Sequence, residues 1–381
     1  MTTLGRSSSG LEEVVATSSA LCFLDGARGT LAYCGYDIHD LVRGGATFEE
    51  VAYLLWHGRL PTRAELGDLE SELVAARALP DGTSRLLRAL PSGDAMDLLR
   101  TATSALAHYE TDGTDRSPRA QYRRAVRLTS QIASVVAAIG RLAAGGGLID
   151  PDPVIGHAAN FLYMLTGDKP DATTARALDV ALVLHADHEL NASTFAARVA
   201  SATLTDLHSA VVAAIGTLKG PLHGGANADV MRLLMEIGEQ ADPSRVTAVI
   251  EAKLARKEKI PGFGHRVYRT GDPRATHLRE MSRAVGQRTG DLRWFEMSEL
   301  IETTVRAARP SLYPNVDFYS ASTYYGLGIP LELFTPVFAV SRVSGWTAHV
   351  LEQWSDNRLI RPRAEYTGAE VPRPYVPLAG R

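Results

Sequence analysis

Apolar residues recur along most of this chain at intervals of three and four, the signature of helices with one buried face. From Ala125 to Ala144 they fall at Val126, Ile132, Val136 and Ile139, and the triple glycine Gly145–Gly147 stops the run. Between Thr205 and Lys219, Leu207, Val211, Ile215 and Leu218 are spaced four, four and three, again ending at a glycine, Gly220. A third helix is predicted from Asp171 to about Asp187, with Asp171 as its N-cap. Further helices are predicted over 227–239, 243–258, 274–288, 294–309 and 331–355, parted by Gly- and Pro-bearing loops such as Pro261–Gly264 and Pro310–Asn315. One stretch breaks the period. Residues 22–34 (CFLDGARGTLAYC) set two short apolar runs around a Gly-containing turn and predict a small β-hairpin. Without βαβ alternation, a Rossmann or TIM architecture is disfavoured, and the class is all-α with that N-terminal hairpin.

Length changes the picture first. At 381 residues the chain exceeds one compact core and predicts two domains, with a cleft between them as the natural place for a site. The Gly/Pro stretches at 145–153 and 167–170 are too short to be linkers, so the sequence pattern alone does not place the boundary. Hydrophobic residues make up 45% and charged residues 22%, an ordinary globular balance. With 40 basic and 43 acidic residues the formal charge is −3, so no global basic field recruits nucleic acid or an anionic membrane. Cys22 and Cys34, the only cysteines, build neither a disulfide framework nor a metal spacing. The start (MTTLGRSSSGLEEVV) offers neither an apolar signal core nor an Arg-rich presequence, and no run of 18 apolar residues occurs. A cytoplasmic protein is expected.

Three histidine-bearing loops and one acidic segment carry the candidate chemistry. They are His185-Ala-Asp-His188-Glu-Leu-Asn191-Ala-Ser193, Pro221-Leu-His223-Gly-Gly-Ala-Asn227, Pro261-Gly-Phe-Gly-His265-Arg-Val-Tyr-Arg269 and Tyr313-Pro-Asn-Val-Asp317-Phe-Tyr-Ser320. Each histidine sits at a helix end or beside glycines, where a side chain can face a ligand and the backbone can approach it. Singly, each is more often a cap or a satisfied structural group. A metal at His185, Asp187, His188 and Glu189 is disfavoured, since no Cys joins them and no His-Glu-x-x-His occurs. The loop at 261–265 lacks a Walker lysine, yet its glycines expose N–H groups with Lys257, Lys259, Arg266 and Arg269 around them, suited to a phosphorylated cofactor.

These segments, with Tyr36-Asp-Ile-His-Asp40 and Val51-Ala-Tyr-Leu-Leu-Trp56 before them and Trp346-Thr-Ala-His-Val-Leu-Glu-Gln353 after, resemble the citrate synthase family across essentially the whole chain. The resemblance implies a multihelical two-domain subunit of a homodimer. It places the large domain at 1–220 and 326–381 and an inserted small domain, with CoA-binding and catalytic residues, at 221–325. The implied reaction joins acetyl-CoA to oxaloacetate and hydrolyses citryl-CoA, with acyl-CoA as cosubstrate, no permanently bound cofactor and no metal. By motif position Asp317 matches the base, His223 the donor to the enol or enolate, and His265 the group that protonates the oxaloacetate carbonyl. His188, Asn191, Arg274, Arg342 and Arg361 match the keto-acid set, with Arg361 supplied by the partner subunit. Ile260, Pro261, Gly262, Phe263 and Gly264 match the segment that cradles CoA, and Arg269 a phosphate contact. Planar guanidinium groups suit a dicarboxylate better than lysine does.

Two departures stand out. Ala321 occupies a position where the family commonly has glycine, and its methyl group is expected to alter slightly a turn after the base. The N-terminal extension of the larger NADH-regulated members is lacking, so a simple dimer is expected. The nearest alternative is 2-methylcitrate synthase, which applies the same three groups to propionyl-CoA; one methylene is worth only about 1–3 kcal/mol in an apolar pocket. A catalytically dead relative is disfavoured because His223, His265 and Asp317 are all present.

Overall fold

The computed structural model describes residues 9–11, 14–369 and 371–381. Strands β1 (Cys22–Asp25), β2 (Thr30–Tyr33) and β3 (Tyr36–Asp37) form one antiparallel sheet in chain order, with Cys22 opposite Tyr33 and Ala32 opposite Asp37. The predicted hairpin is present and gains a third strand, because Cys34 and Gly35 both take positive φ and reverse the chain within two residues.

Helices follow among the described residues: α1 (Ile38–Arg43), α2 (Phe48–His57), α3 (Arg63–Ala76), α4 (Asp81–Ala89), α5 (Ala95–Leu106), α6 (Pro118–Ala143), α7 (His157–Thr166) and α8 (Ala172–His185). Then come α9 (Ala192–Ser201), α10 (Leu207–Leu218), α11 (Ala226–Ile237), α12 (Pro243–Ala255), α13 (Pro273–Thr289), α14 (Arg293–Ala308), α15 (Val316–Gly326) and α16 (Phe334–Ser355). The predicted helices are all found; aspartates cap the starts of α8, α10, α12 and α13, whereas α11, α14 and α16 begin without a side-chain cap. Asp171 accepts from the N–H groups of Thr173 and Thr174, as its position predicts. The greatest shift is at α6, which starts seven residues before Ala125, because Ser117 caps it and Pro118 fits the first turn. Residues 331–333 form a 3₁₀ turn ahead of α16. Ala321 lies in the middle of α15, fully buried, so the turn expected after the base is instead continuous helix.

Helix α16 is buried along almost its whole length and packs against α2, α6, α8, α9 and α10. One apolar core runs from Leu31 and Tyr33 of the sheet through Val135 and Val136 of α6 to Val337 and Trp346 of α16. Helices α11 to α15 pack chiefly on one another, and α13 lies against α8. No helix among the described residues is long and apolar enough to cross a membrane.

Within that second group, the loop before α13 is tied to the start of α15 by main-chain atoms. Gly264 N–H donates to Tyr313 O (2.9 Å), and Asn315 N–H donates to Gly262 O (2.8 Å). Gly262 has φ 76°, and a Cβ there would stand 2.7 Å from Val230 and 2.9 Å from Phe318. Gly262→Ala is therefore expected to cost about 1–3 kcal/mol and to lower the melting temperature by several degrees. Calorimetry checks this, and an unchanged Tm would mean that the loop is free to give way.

Candidate active site

Two short loops and two helix starts bring the predicted residues together around α16. His223 lies in the turn before α11, where its Nε2 meets the Ser193 N–H (3.3 Å) and the Ser193 hydroxyl (2.8 Å). A main-chain amide only donates, so Nε2 is an acceptor and the ring's proton resides on Nδ1. Ser193 is itself held by α16, since Trp346 Nε1 donates to Ser193 Oγ (3.1 Å). Burial, followed by the Arg342 charge, lowers the His223 pKa to about 4.

His265 carries the opposite tautomer. Its Nδ1 accepts from the N–H groups of Val267 (3.0 Å) and Tyr268 (3.1 Å), which leaves the proton on Nε2. Burial and then Arg274 lower its pKa to about 4 as well. Both imidazoles are therefore neutral donors at physiological pH, each with its acceptor nitrogen filled by backbone.

Asp317 sits in the first turn of α15, capped by Asn315, whose Oδ1 accepts from Asp317 N–H (3.0 Å). The same Asn315 donates its Nδ2 to Gly264 O (2.8 Å), joining the carboxylate's helix to the His265 loop. A helix N-terminus favours an ionised carboxylate by only about 0.3–1 kcal/mol. Burial outweighs that and raises the Asp317 pKa to about 6, against the pull of Arg274, Lys259 and Arg342. Among the described residues no protein donor takes up its carboxylate.

Two arginines lie beneath this cluster. Arg274 pairs bidentately with Asp272, Nε to Oδ1 at 2.9 Å and one terminal nitrogen to Oδ2 at 2.7 Å, both residues being buried. Asp272 also accepts from Val316 N–H (2.9 Å), so the pair joins α13 to α15. Arg342 has no such carboxylate. Its Nε donates to His185 O (2.6 Å), its guanidinium lies 4.6 Å from the Phe338 ring centre, and burial lowers its pKa to about 10. It therefore remains a cation with unspent donors.

His188 follows the end of α8. Its Nε2 is 3.1 Å from the Tyr268 hydroxyl, its ring centre is 5.4 Å from that of His265, and burial, then Arg274, holds its pKa far below the ordinary range. Asn191 does different work from that expected of it. As N-cap of α9 it accepts from Thr194 N–H and the Ser193 hydroxyl, while its Nδ2 donates to His188 O, Glu189 O and Thr194 Oγ1. Its amide is spent on shaping the loop. Arg361 is exposed in the extended segment after α16 and makes no hydrogen bond or ion pair within its own chain among the described residues.

Of the predicted cofactor residues, Ile260 and Phe263 turn their side chains into the core, Phe263 packing edge-on to Phe318 with ring centres 4.6 Å apart. Gly262 and Gly264 take positive φ. What this segment leaves open to solvent is part of Pro261, the backbone at Gly264 and the exposed Arg269 side chain, whose own main-chain N–H is bound to Gly26 O (2.8 Å). Tyr268, Ser193, Trp346, Phe338, Asp272 and Asn315 were not singled out in the sequence. Trp346 stands four residues beyond Arg342, a same-face spacing, and Asn315 directly precedes the helix that bears Asp317.

The arrangement offers two neutral N–H donors of opposite tautomer, a carboxylate with a raised pKa, and a buried cation. In ¹⁵N-histidine spectra at pH 7, His223 is expected as the Nδ1–H tautomer and His265 as the Nε2–H tautomer. Neither should protonate until the pH approaches 4, whereas Asp317 should take up its proton near pH 6. An imidazolium signal from either ring at pH 6 would contradict this geometry.

The family model described as "Citrate synthase, C-terminal domain" matches residues 10–363. A citrate synthase of Haloferax volcanii is 53% identical over 367 residues, covering 94% of this chain and 95% of its own. A 2-methylcitrate synthase of Shewanella oneidensis is 43% identical, covering 98% of this chain and 97% of its own. Among solved structures, the Thermoplasma acidophilum citrate synthase in ternary complex with carboxymethyl coenzyme A and oxaloacetate superposes with a TM-score of 0.90 at 34% identity, covering 98% of this chain and 99% of that one.

Proposed function

The chain belongs to the citrate synthase family, and from that premise we propose that it is an acyltransferase condensing acetyl-CoA with oxaloacetate and hydrolysing citryl-CoA to citrate and CoA. The observation that carries the residue assignment is the pair of neutral imidazoles, each held by backbone amides, together with a buried carboxylate that takes up no protein donor among the described residues. Asp317 removes the methyl proton of the thioester, a task for a base with a pKa drawn toward neutrality. Charge then develops on the thioester oxygen, where His223 Nδ1–H is the donor; one such donor is typically worth about 2.7–4 kcal/mol in the transition state. His265 Nε2–H donates to the keto oxygen as the new carbon–carbon bond forms. A charged imidazole at either place would over-stabilise the ground-state anions, so the depressed pKa values serve the reaction.

Arg274 and Arg342 meet the carboxylates of oxaloacetate together with His188. Arg361 completes the set from the partner subunit in a homodimer, a role supported by its exposure and by its making no hydrogen bond or ion pair among the described residues of its own chain. Asn191 contributes by fixing the loop. Residues 221–325 act as a small domain that closes over a large one formed by 1–220 and 326–381; the packing of α11 to α15 on one another supports that division. CoA is met by the Pro261–Gly264 backbone and Arg269. Two free thiols, Cys22 and Cys34, suit a reducing cytoplasm.

Asp317→Ala should lower turnover by about 10²–10⁴-fold with the fold intact. Arg361→Ala should be similarly impaired. Mixed dimers formed from the two variants should regain one working site, measured as CoA release, if Arg361 acts across the interface. Mixing without recovery would place Arg361 in its own site or outside the chemistry. The resemblance to a 2-methylcitrate synthase makes propionyl-CoA the rival acyl donor. The ratio of kcat/KM for acetyl-CoA over propionyl-CoA should exceed about 10, within the discrimination one methylene allows; a ratio below one would assign the chain to 2-methylcitrate synthesis.

A further inference from the structure

One face of α16 lies along the loop that carries His188, and the catalytic assignment uses only part of it. Arg342 donates to His185 O, and three residues on, Gly345 runs so close to the loop that a Cβ would collide with Ala186 O and stand 2.6 Å from Asp187 Oδ1. Trp346 holds Ser193. One turn further, His349 faces Asp187 with its Nε2 3.2 Å from Oδ2, both side chains 0% exposed. Arg198, buried on α9, donates to His349 Nδ1 (2.8 Å), to Glu352 (2.6 Å) and to Gln353 (3.2 Å). Residues 342, 345, 346, 349, 352 and 353 share a helix face by spacing.

The protonation pattern follows from donor chemistry. A guanidinium has no acceptor, so His349 Nδ1 accepts and its proton sits on Nε2, directed at Asp187. Asp187 needs that proton. Burying a carboxylate is costly without hydrogen bonds, and Asp187 has only two, from His349 and from Glu189 N–H (3.2 Å), both on Oδ2. Its Oδ1 has none. Burial acts to raise the Asp187 pKa, but His349 and then Arg342 override it and hold the carboxylate ionised. The bond from Glu189 N–H closes a turn in which Glu189 takes φ 52°, a left-handed conformation rare for a side-chain-bearing residue. That turn fixes the direction in which His188 leaves the chain.

We propose that His349 is a positioning residue for the keto acid: bridging Arg198 and Asp187, it holds the 187–189 turn so that His188 and Arg342 present a preformed site. The proposal rests on the reading that His188 and Arg342 bind oxaloacetate. It distinguishes His349 from a core residue of equal size, because only a group with one donor edge and one acceptor edge closes the bridge.

His349→Leu keeps the volume and removes both bonds. Its KM for oxaloacetate should rise about 10-fold or more while KM for acetyl-CoA stays within about twofold, and His349→Gln, whose amide accepts from Arg198 and donates to Asp187, should return to within about threefold of wild type. Binding is read independently of turnover as the rise in Tm that oxaloacetate produces, shared by wild type and H349Q and lost in H349L. Failure of wild type to turn over with an intact Tm rise would count against the reaction and not against this role. Glu352→Gln weakens the anchorage of Arg198 while its amide oxygen can keep the bond from Ala20 N–H (2.7 Å), and it should give a smaller rise of the same sign; it decides the matter if H349L does not accumulate. An unchanged oxaloacetate KM in these variants, a parallel rise in both KM values, or an H349Q as defective as H349L would overturn the proposal.

Discussion

Which nitrogen of a neutral imidazole carries the proton is set by the donor that its other nitrogen meets, and the site of this chain is organised around making that choice twice. Backbone amides do it, Ser193 for His223 and the pair Val267 and Tyr268 for His265. Amides cannot reverse their role, so each tautomer is set by where the main chain runs. The helix starts, the glycine turns and the loop tied to Asn315 all serve to bring those amides to those nitrogens.

The charges divide along the same lines. Arg274 is neutralised locally by Asp272, which lets it join α13 to α15 without leaving an uncompensated buried cation. Arg342 has only a carbonyl and an aromatic face, and it is the stronger local field at His223. Among the described residues the site thus contains one guanidinium already paired with a scaffold carboxylate and one with no carboxylate partner, a difference in neighbours and not in residue type.

Much of this was legible in the sequence. The three- and four-residue periodicity located the helices, and Asp171 announced its cap. The three catalytic candidates sit at the loop and helix-start positions their glycine and proline neighbours implied. What the sequence hid was whatever depends on distant contacts. Asn191 resembles a ligand-binding amide until its bonds to Thr194, His188 and Glu189 are seen. Ala321 suggested a turn, but burial inside α15 leaves it helical. Ile260 and Phe263 lie in a glycine-rich segment that reads as a cradle, yet their side chains belong to the core. His349 falls within a motif as one polar residue among many, and its role emerges only when Asp187, 162 positions away, is placed beside it.

The turn of the small sheet meets the His265 loop through Arg269 N–H and Gly26 O, with Gly26 pressed against Val267 so closely that no side chain fits. A contact made of main-chain atoms is indifferent to the chemistry of its neighbours. Ala27 and Arg28 at the tip of the turn are thereby free to change in charge and size from one descendant of this sequence to another, whereas Gly26 is not, nor is Gly29, at φ 67° against Thr270, nor Asp25, which accepts from the N–H groups of Ala27 and Arg28. The tip of the hairpin, and not its strands, is where surface properties can be rewritten.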